Sequence, residues 1–135
     1  MKKSGSIVLV ILLVLSIFSV SFADSNIAPY ASKVIDETTA SISFSGGRVS
    51  GLGTIWAVAT ADKVGISSIE LYEENGSGWK MIASAYNKYG TGTDNYGWSV
   101  SGPAVKGKEY KLTVSFYGKI GNLTDTHSMT KYSTY

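Results

Sequence analysis

From Thr39 to the end of the chain, apolar and polar residues alternate with a period of two. The alternation is clearest in residues 110–117, where every second residue is large and apolar: Tyr110, Leu112, Val114 and Phe116. Successive side chains of a β-strand point to opposite faces, so this period predicts strands with one buried face. The 3.6-residue apolar period of a packed helix is missing from this region. The pattern therefore predicts an all-β fold.

Turn residues divide the alternating region into seven predicted strands. These strands occupy residues 39–45, 49–60, 67–74, 79–86, 96–101, 110–117 and 126–133. The second is apolar on both faces in its later half, which favours a central position, and the last is polar, as expected of an edge strand. Residues 87–95 are polar and glycine-rich, and they are predicted to form a loop.

The strongest local signal is a hairpin between Asp62 and Tyr86. Its turn is Asn75-Gly76-Ser77-Gly78, and Asn and Gly tolerate the positive φ angles that short hairpin loops require. In the first strand of this hairpin, Ile69 and Leu71 are predicted to face the core and Tyr72 to face away from it. Trp79 opens the return strand.

Seven short strands within about 100 residues are typical of an immunoglobulin-like, fibronectin type III-like antiparallel β-sandwich. Tyr110 follows Lys106–Glu109 and opens the clearest strand, where sandwiches place a "tyrosine corner". Trp56 and Trp79 are predicted to fill the core or its edge, because a sandwich without disulfides needs large aromatic side chains. A small jelly roll or partly closed barrel is the alternative architecture.

The first 23 residues are predicted to be a cleaved signal peptide. Lys2 and Lys3 precede an apolar segment, and Ser21-Phe22-Ala23 supplies small residues at the −3 and −1 positions of a cleavage site. An uncleaved membrane anchor is the alternative. We therefore divide the chain into a signal peptide (1–23), a leader segment (24–38) and a single β-sandwich domain (39–135).

Charge and cysteine content exclude several classes of function. The net charge of +2 comes from Lys2 and Lys3, which leaves ten basic and ten acidic residues after position 23. Binding to nucleic acid requires a basic surface, and docking on a membrane requires a run of like charge, so neither partner is predicted for the cleaved protein. Cysteine is absent, which removes thiol catalysis and thiolate metal sites. A cysteine-free exported domain is typical of a Gram-positive bacterium.

The polar residues form no recognisable catalytic or metal-binding pattern. His127 is the only histidine, Glu73 and Glu74 flank a turn, and no Gly-x-Ser-x-Gly motif exposes a serine. Three further acids have no calcium-loop spacing and are interpreted as turn formers: Asp62, Asp94 and Asp125. We therefore predict no catalytic residue, no metal ligand and no cofactor, and a protein that is not an enzyme.

Aromatic residues around the predicted 87–95 loop are the best candidates for ligand binding. Aromatic faces beside Asn and Thr hydrogen-bonding groups are suited to sugars and protein partners, and the candidate residues are Tyr86, Tyr89, Asn95 and Trp98. For Trp98 a core position is favoured, since it shares a strand face with Tyr96 and Val100. For Tyr86 and Tyr89, a binding site and the rim of the core are equally favoured.

Three segments resemble a known family: Asp62-Lys63-Val64-Gly65, Ser68–Glu73 and Gly78-Trp79-Lys80. It is a family of small exported Gram-positive bacterial proteins known only as a domain of unknown function. The resemblance covers nearly the whole cleaved chain and implies export followed by a small β domain. The resemblance implies no activity, cofactor or catalytic residue. More loosely, the strand opened by Glu109-Tyr110 resembles those of fibronectin type III domains.

These observations together predict a secreted, non-catalytic β-sandwich that binds an extracellular protein or glycan, free in the medium or at the cell surface. One alternative is a carbohydrate-binding module that uses Tyr86, Tyr89 and Trp98. Another is an interaction protein that self-associates through an edge strand. A third is a secreted hydrolase whose site leaves no sequence motif.

Overall fold

A computed structural model describes residues 33–135; the predicted signal peptide and most of the leader segment lie outside this range. The described residues form seven strands, β1 (Ile35–Ser45), β2 (Arg48–Ala61), β3 (Lys63–Asn75), β4 (Gly78–Gly90), β5 (Thr93–Pro103), β6 (Glu109–Ile120) and β7 (Leu123–Thr134). Among these residues there is no helix that is long and apolar enough to cross a membrane.

The strands form two antiparallel sheets. One has the order β1-β2-β5 and the other has the order β4-β3-β6-β7. With immunoglobulin strand labels, the first sheet is A-B-E, and the second is G-F-C with an added C′ strand. The predicted immunoglobulin-like sandwich is therefore confirmed, as are the central position of β2 and the edge position of β7.

The core lies between the sheets and is built from the alternating residues that the sequence indicates. Ile69 and Leu71 of β3 are fully buried, as predicted. They pack with the buried side chains of the neighbouring strands, which include Val49, Ile55, Leu112, Val114 and Phe116. Each such side chain contributes about 1.5–3 kcal/mol relative to an exposed position, so this apolar interior is the main source of stability.

Two glycines of β2 allow the sheets to approach each other closely. A methyl group on Gly51 would lie 2.5 Å from Cδ1 of Leu112, and one on Gly53 would lie 2.8 Å from Cγ1 of Val114. β2 pairs with both neighbours without a register shift at these positions. The glycines therefore make room for β6 side chains rather than marking a β-bulge.

The predicted tyrosine corner is present at the start of β6. The Tyr110 hydroxyl accepts a hydrogen bond from the backbone N–H of Val105 (2.7 Å) and donates one to Oε2 of Glu73 (2.8 Å). The ammonium group of Lys108 lies 3.1 Å from the other oxygen of Glu73. The Tyr110 hydrogen bond and then Lys108 lower the pKa of Glu73, whereas burial raises the pKa of Tyr110.

The folded domain begins earlier than the predicted boundary at residue 39. Strand β1 starts at Ile35, and the preceding Val34 is fully buried. The backbone N–H of Val34 donates to Oδ2 of Asp125 at 2.8 Å. The last part of the predicted leader (24–38) therefore belongs to the sandwich. An Asp-Glu-Thr run within β1 interrupts the apolar alternation and hides this part of the strand in the sequence.

The prediction of a loop at residues 87–95 is wrong. β4 continues to Gly90 and β5 begins at Thr93, so only Thr91 and Gly92 connect them. Gly92 has a φ angle of +63°, which glycine adopts readily. Both strands are at the edges of their sheets and carry polar side chains on both faces, so their sequence resembles that of a loop.

The predicted core positions of Trp56 and Trp79 are also wrong. Their exposed fractions are 39% and 37%. On β2, Trp56 follows the buried Ile55 and therefore points to the outer face of the three-stranded sheet. Trp79 lies beside Tyr132 on the four-stranded sheet, with ring centroids 5.8 Å apart. Glycines and aliphatic side chains leave no space for indole rings between the sheets.

Candidate functional site

A groove of about 580 Å³ lies where an edge strand of one sheet meets an edge strand of the other. Residues 83–86 and Lys88 of β4 form one wall, and residues 98–101 of β5 form the other. Its volume falls within the range of about 300–1,000 Å³ that is usual for small-ligand sites. We call it the β4–β5 groove.

The short connection between β4 and β5 positions the groove. After Gly90 the chain crosses from the four-stranded to the three-stranded sheet within two residues. The backbone N–H of Gly92 donates to the carbonyl of Ala61 (2.9 Å), which anchors this crossing to the end of β2. Both strands therefore run along the same side of the sandwich, and they face each other without a shared backbone ladder.

Trp98 forms the aromatic surface of the groove. It shares the inward face of β5 with Tyr96 and the buried Val100, as the alternation indicates. Because β5 is an edge strand, however, the indole extends to the open side of the sandwich and is 37% exposed, so the core position favoured for Trp98 from the sequence is wrong. Opposite it on β2 is Gly53, which offers no side chain to cover the ring.

Lys88 contacts Trp98 across the groove. Its ammonium nitrogen lies 4.6 Å from the centroid of the indole ring, a distance at which a cation is attracted to the electron-rich face. Lys88 pairs with the buried Ile66 of β3, which places it on the inward side of β4. Lys88 is not among the site residues predicted from the sequence, because a lysine in a polar stretch has no distinguishing local signal.

Tyr86 lies on the same wall but points to the outer face. Its hydroxyl donates to Oε1 of Glu70 (2.8 Å), and its side chain is 48% exposed. Between Tyr86 and Lys88, Asn87 has a φ angle of +55°, a left-handed conformation that Asn tolerates better than most residues. In a regular strand, residues two apart share a face. The kink at Asn87 allows Tyr86 and Lys88 to point to opposite faces instead.

The hydrogen bond with Glu70 also raises the pKa of Tyr86. The other oxygen of this carboxylate accepts a hydrogen bond from the Tyr72 hydroxyl at 2.5 Å, which together with burial raises the pKa of Tyr72 to about 12. Tyr72 faces away from the core, as predicted. Glu70 is therefore held by two phenols beside the groove.

Two of the four predicted site residues lie elsewhere. Tyr89 packs edge-on against Tyr117 (centroids 5.9 Å apart), with the ammonium nitrogen of Lys63 at 4.1 Å from its ring. Asn95 donates from its side-chain amide to Oδ1 of Asp94 at 2.8 Å. The structure thus brings together Tyr86 and Trp98, and it places Tyr89 and Asn95 outside the groove.

The groove also contains hydroxyl groups and a second nearby cation. Ser84, Ser99 and Ser101 are part of its walls. Nη2 of Arg48 donates a hydrogen bond to Oγ of Ser101 at 3.1 Å, which places the guanidinium group at the end of the β5 wall. Nothing local in the sequence distinguishes these serines from the many others, and Arg48 precedes Ser101 by 53 positions.

A second aromatic cluster lies on the outer face of the four-stranded sheet. The Lys111 ammonium nitrogen is 4.6 Å from the Tyr72 ring centroid and 4.9 Å from that of Trp79, and Tyr132 lies beside Trp79. These four residues come from four different strands. They provide a natural comparison for the groove, because they contain an equally exposed tryptophan beside a lysine.

Two of the three acids considered for calcium binding, Asp62 and Asp125, accept backbone hydrogen bonds. Oδ2 of Asp62 accepts a hydrogen bond from the N–H of Gly121 at 2.7 Å, and Asp125 accepts one from Val34. Within residues 33–135, no group of three or more histidine or acidic side chains is arranged to hold a metal ion.

Comparisons with known proteins add no functional information. No protein family and no curated protein matches the sequence. β-Glucosidase 3B from Thermotoga neapolitana, solved with α-D-glucose, is 14% identical with a TM-score of 0.39, over 75% of this chain and 17% of that one. A protein from Archaeoglobus fulgidus is 10% identical with a TM-score of 0.40, over 75% of this chain and 95% of that one. Both similarities are too weak to support an argument.

Proposed function

We propose that this protein is an exported, non-catalytic binding module that holds a carbohydrate in the β4–β5 groove. The observation that carries the proposal is the exposed indole of Trp98 in the β4–β5 groove, whose walls also include Tyr86 and three serines. Tyr89, the third aromatic residue considered from the sequence, has no part in this site.

The residues of the groove suit the two kinds of surface that a sugar presents. The apolar C–H face of a pyranose ring packs on an aromatic face, and the indole provides the larger such surface here. The sugar hydroxyls need partners that can both donate and accept, and each serine hydroxyl can do both. An open groove also accommodates a chain of sugars without enclosing its ends.

The composition of the groove favours binding over hydrolysis. Glycoside hydrolysis generally uses two carboxyl groups on either side of the scissile bond, about 5–9.5 Å apart. The groove is lined by residues 83–86, Lys88 and residues 98–101, which include no Asp, Glu or His. The nearest acid described above, Glu70, accepts hydrogen bonds from two tyrosines.

The proposal is tested by screening the secreted protein against a panel of neutral and acidic oligosaccharides and then measuring affinities by calorimetry. We expect Trp98→Ala to weaken binding by about tenfold or more, as for a central aromatic contact. Trp79→Ala is the matched control, since it removes an indole of the same 37% exposure from the outer face. Tyr89→Ala is a second control and should leave the affinity unchanged.

Two results would contradict the proposal. One is the absence of any ligand in the whole panel. The other is a loss of affinity on Trp79→Ala or Tyr89→Ala that equals the loss on Trp98→Ala, because the sugar would then bind outside the groove.

Export is a separate part of the proposal, supported by the signal-peptide pattern in residues 1–23. The protein recovered from the medium or the cell surface of its producer should begin at Asp24, which N-terminal sequencing would detect. Retention of the full-length chain in the membrane fraction would contradict cleavage.

A further inference from the structure

We infer that the β4–β5 groove selects acidic saccharides, namely glycan chains that carry carboxylates, over neutral ones. This inference rests on the proposed function, because it names the class of ligand for the same groove.

The groove has a positive group on its wall and no negative one. Lys88 is the single charged residue among those that line it. Its ammonium group has three N–H donors, and contact with the Trp98 ring, 4.6 Å away, leaves donors available to a ligand. A sugar that packs against the exposed part of the indole would therefore have the ammonium group beside its ring substituents.

A second positive group lies near the β5 wall but on the opposite face. The Arg48 guanidinium donates to Ser101, three residues beyond Trp98. Residues an odd number apart in a strand point to opposite faces, and Ser101 follows the buried Val100, so it points to the outer face of the three-stranded sheet. Lys88 is therefore the cation that a ligand on the Trp98 ring would meet.

No acidic residue lines the groove. Glu70 lies on the outer face of the four-stranded sheet, where its oxygens accept hydrogen bonds from Tyr72 and Tyr86. Lys88 is therefore the one charged side chain among the residues that line the groove, although residues 24–135 carry ten basic and ten acidic side chains in all.

This arrangement predicts a selectivity that stacking alone would not produce. An indole ring packs equally well on neutral and acidic sugars, whereas a carboxylate gains an attraction from Lys88. Because the groove is open to solvent, salt weakens this attraction. The preference for acidic sugars should therefore decrease as ionic strength rises, while the contribution of stacking remains.

The test uses pairs of ligands that differ only in charge. Oligogalacturonate, alginate oligomers and hyaluronan oligomers are each compared with their methyl esters, which retain the sugar ring and lose the carboxylate charge. Binding of the secreted protein is measured by tryptophan fluorescence and calorimetry at roughly 0.05 M and 0.5 M salt. We expect at least one acid to bind about tenfold more tightly than its ester at low salt, and the ratio to fall at high salt.

Variants then assign the selectivity to Lys88. Lys88→Gln should lower the affinity for the acid by about five- to tenfold with little change for the ester, and Lys88→Arg should preserve the preference. Arg48→Gln removes a cation from the outer face and should leave the preference unchanged. Lys63→Gln is the matched control, because it removes a lysine that contacts an aromatic ring, Tyr89, outside the groove.

Each outcome bears on one of the two proposals. Equal binding of acids and esters, both lost on Trp98→Ala, would overturn the charge selectivity and leave the carbohydrate-binding function intact. Binding confined to neutral sugars of the screening panel would likewise overturn the charge selectivity and leave the carbohydrate-binding function intact. A selectivity for acids that survives Lys88→Gln would also overturn it. If no acidic or neutral sugar binds, the proposed function itself fails.

Discussion

The ammonium group of Lys88 lies 4.6 Å from the centroid of the Trp98 ring, so a residue of the four-stranded sheet contacts a residue of the three-stranded sheet at the edge of the sandwich. β4 and β5 belong to different sheets, and no backbone ladder connects them. Side-chain contacts of this kind therefore help to set the width of the groove.

The Lys88–Trp98 contact should be measurable as a coupling free energy. In a double-mutant cycle with Lys88→Gln and Trp98→Leu, we expect a coupling of about 0.5–1 kcal/mol in the free energy of unfolding, measured in urea. Lys63→Gln combined with Trp98→Leu serves as the control, and its effects should add within about 0.5 kcal/mol. Additivity of the Lys88–Trp98 pair would show that the contact contributes nothing to stability.

Tyr110→Phe should destabilise the domain by about 1–2 kcal/mol. The change removes one hydroxyl that accepts from the Val105 N–H and donates to Glu73, and it leaves both groups without that partner in the semi-buried corner. Urea denaturation measures the loss. Tyr117→Phe, on the same strand but in a half-buried aromatic pair with Tyr89, should change the stability by less than about 0.5 kcal/mol.

The hydrogen bond between Tyr110 and Glu73 also predicts a dependence of stability on pH. It lowers the pKa of Glu73 in the folded protein below the ordinary value of 4.5. A carboxyl group with a lowered folded pKa stabilises the protein above its unfolded pKa, and this stabilisation disappears as the pH falls towards the folded pKa. The urea midpoint should therefore fall on acidification below about pH 5, and Glu73→Gln should reduce this fall.

The exposed Glu37 of β1 provides a control for this titration. Glu37→Gln should retain the decrease in stability on acidification. An unchanged acid dependence in Glu73→Gln would contradict the assignment of the effect to Glu73.

Gly53→Ala should destabilise the sandwich by about 1–3 kcal/mol. The added methyl group would lie 2.8 Å from Val114 and 3.3 Å from Ile66, so the sheets would have to separate or side chains change rotamer. Gly78→Ala is the control: that methyl group meets no atom within 4 Å, and Gly78 is not among the residues with positive φ. Equal thermal midpoints for the two variants would show that the sheets adjust at no cost.

Asn87→Val should cost about 1–2 kcal/mol and also weaken ligand binding in the groove. A β-branched residue adopts the left-handed conformation of Asn87 (φ +55°) with strain. A β4 that relaxes to a regular strand would turn Lys88 away from Trp98. Asn87→Gly should keep the binding affinity, because glycine adopts this conformation readily. Equal ligand affinities for Asn87→Val and Asn87→Gly would show that the kink at Asn87 is not needed for binding in the groove.

Several elements of the fold were predictable because their signals are local. The alternation in residues 110–117 identifies a strand with one buried face, and the structure buries Tyr110, Leu112, Val114 and Phe116. The Asn75–Gly78 turn likewise specifies a hairpin through the backbone preferences of its own residues. In each case neighbours in the sequence decide the conformation.

Other elements were not predictable, since their environment comes from distant parts of the chain. Trp79 follows a turn and alternates with polar residues, and only the position of Tyr132 and Lys111 shows that it lies on an outer face. The same holds for residues 87–95, where two edge strands have polar side chains on both faces and resemble a loop.

The sequence by itself determined an all-β sandwich and the buried face of its main strands, because the alternation of apolar and polar residues shows which face of each strand is buried away from water. It also identified Tyr86 and Trp98 as candidates. Only the tertiary structure decided that they share a groove with Lys88 and that Tyr89 and Asn95 do not. The groove lies between edge strands of different sheets. No periodic signal in the sequence marks the crossing between the sheets, the left-handed conformation of Asn87 or the hydrogen bond from Arg48 to Ser101.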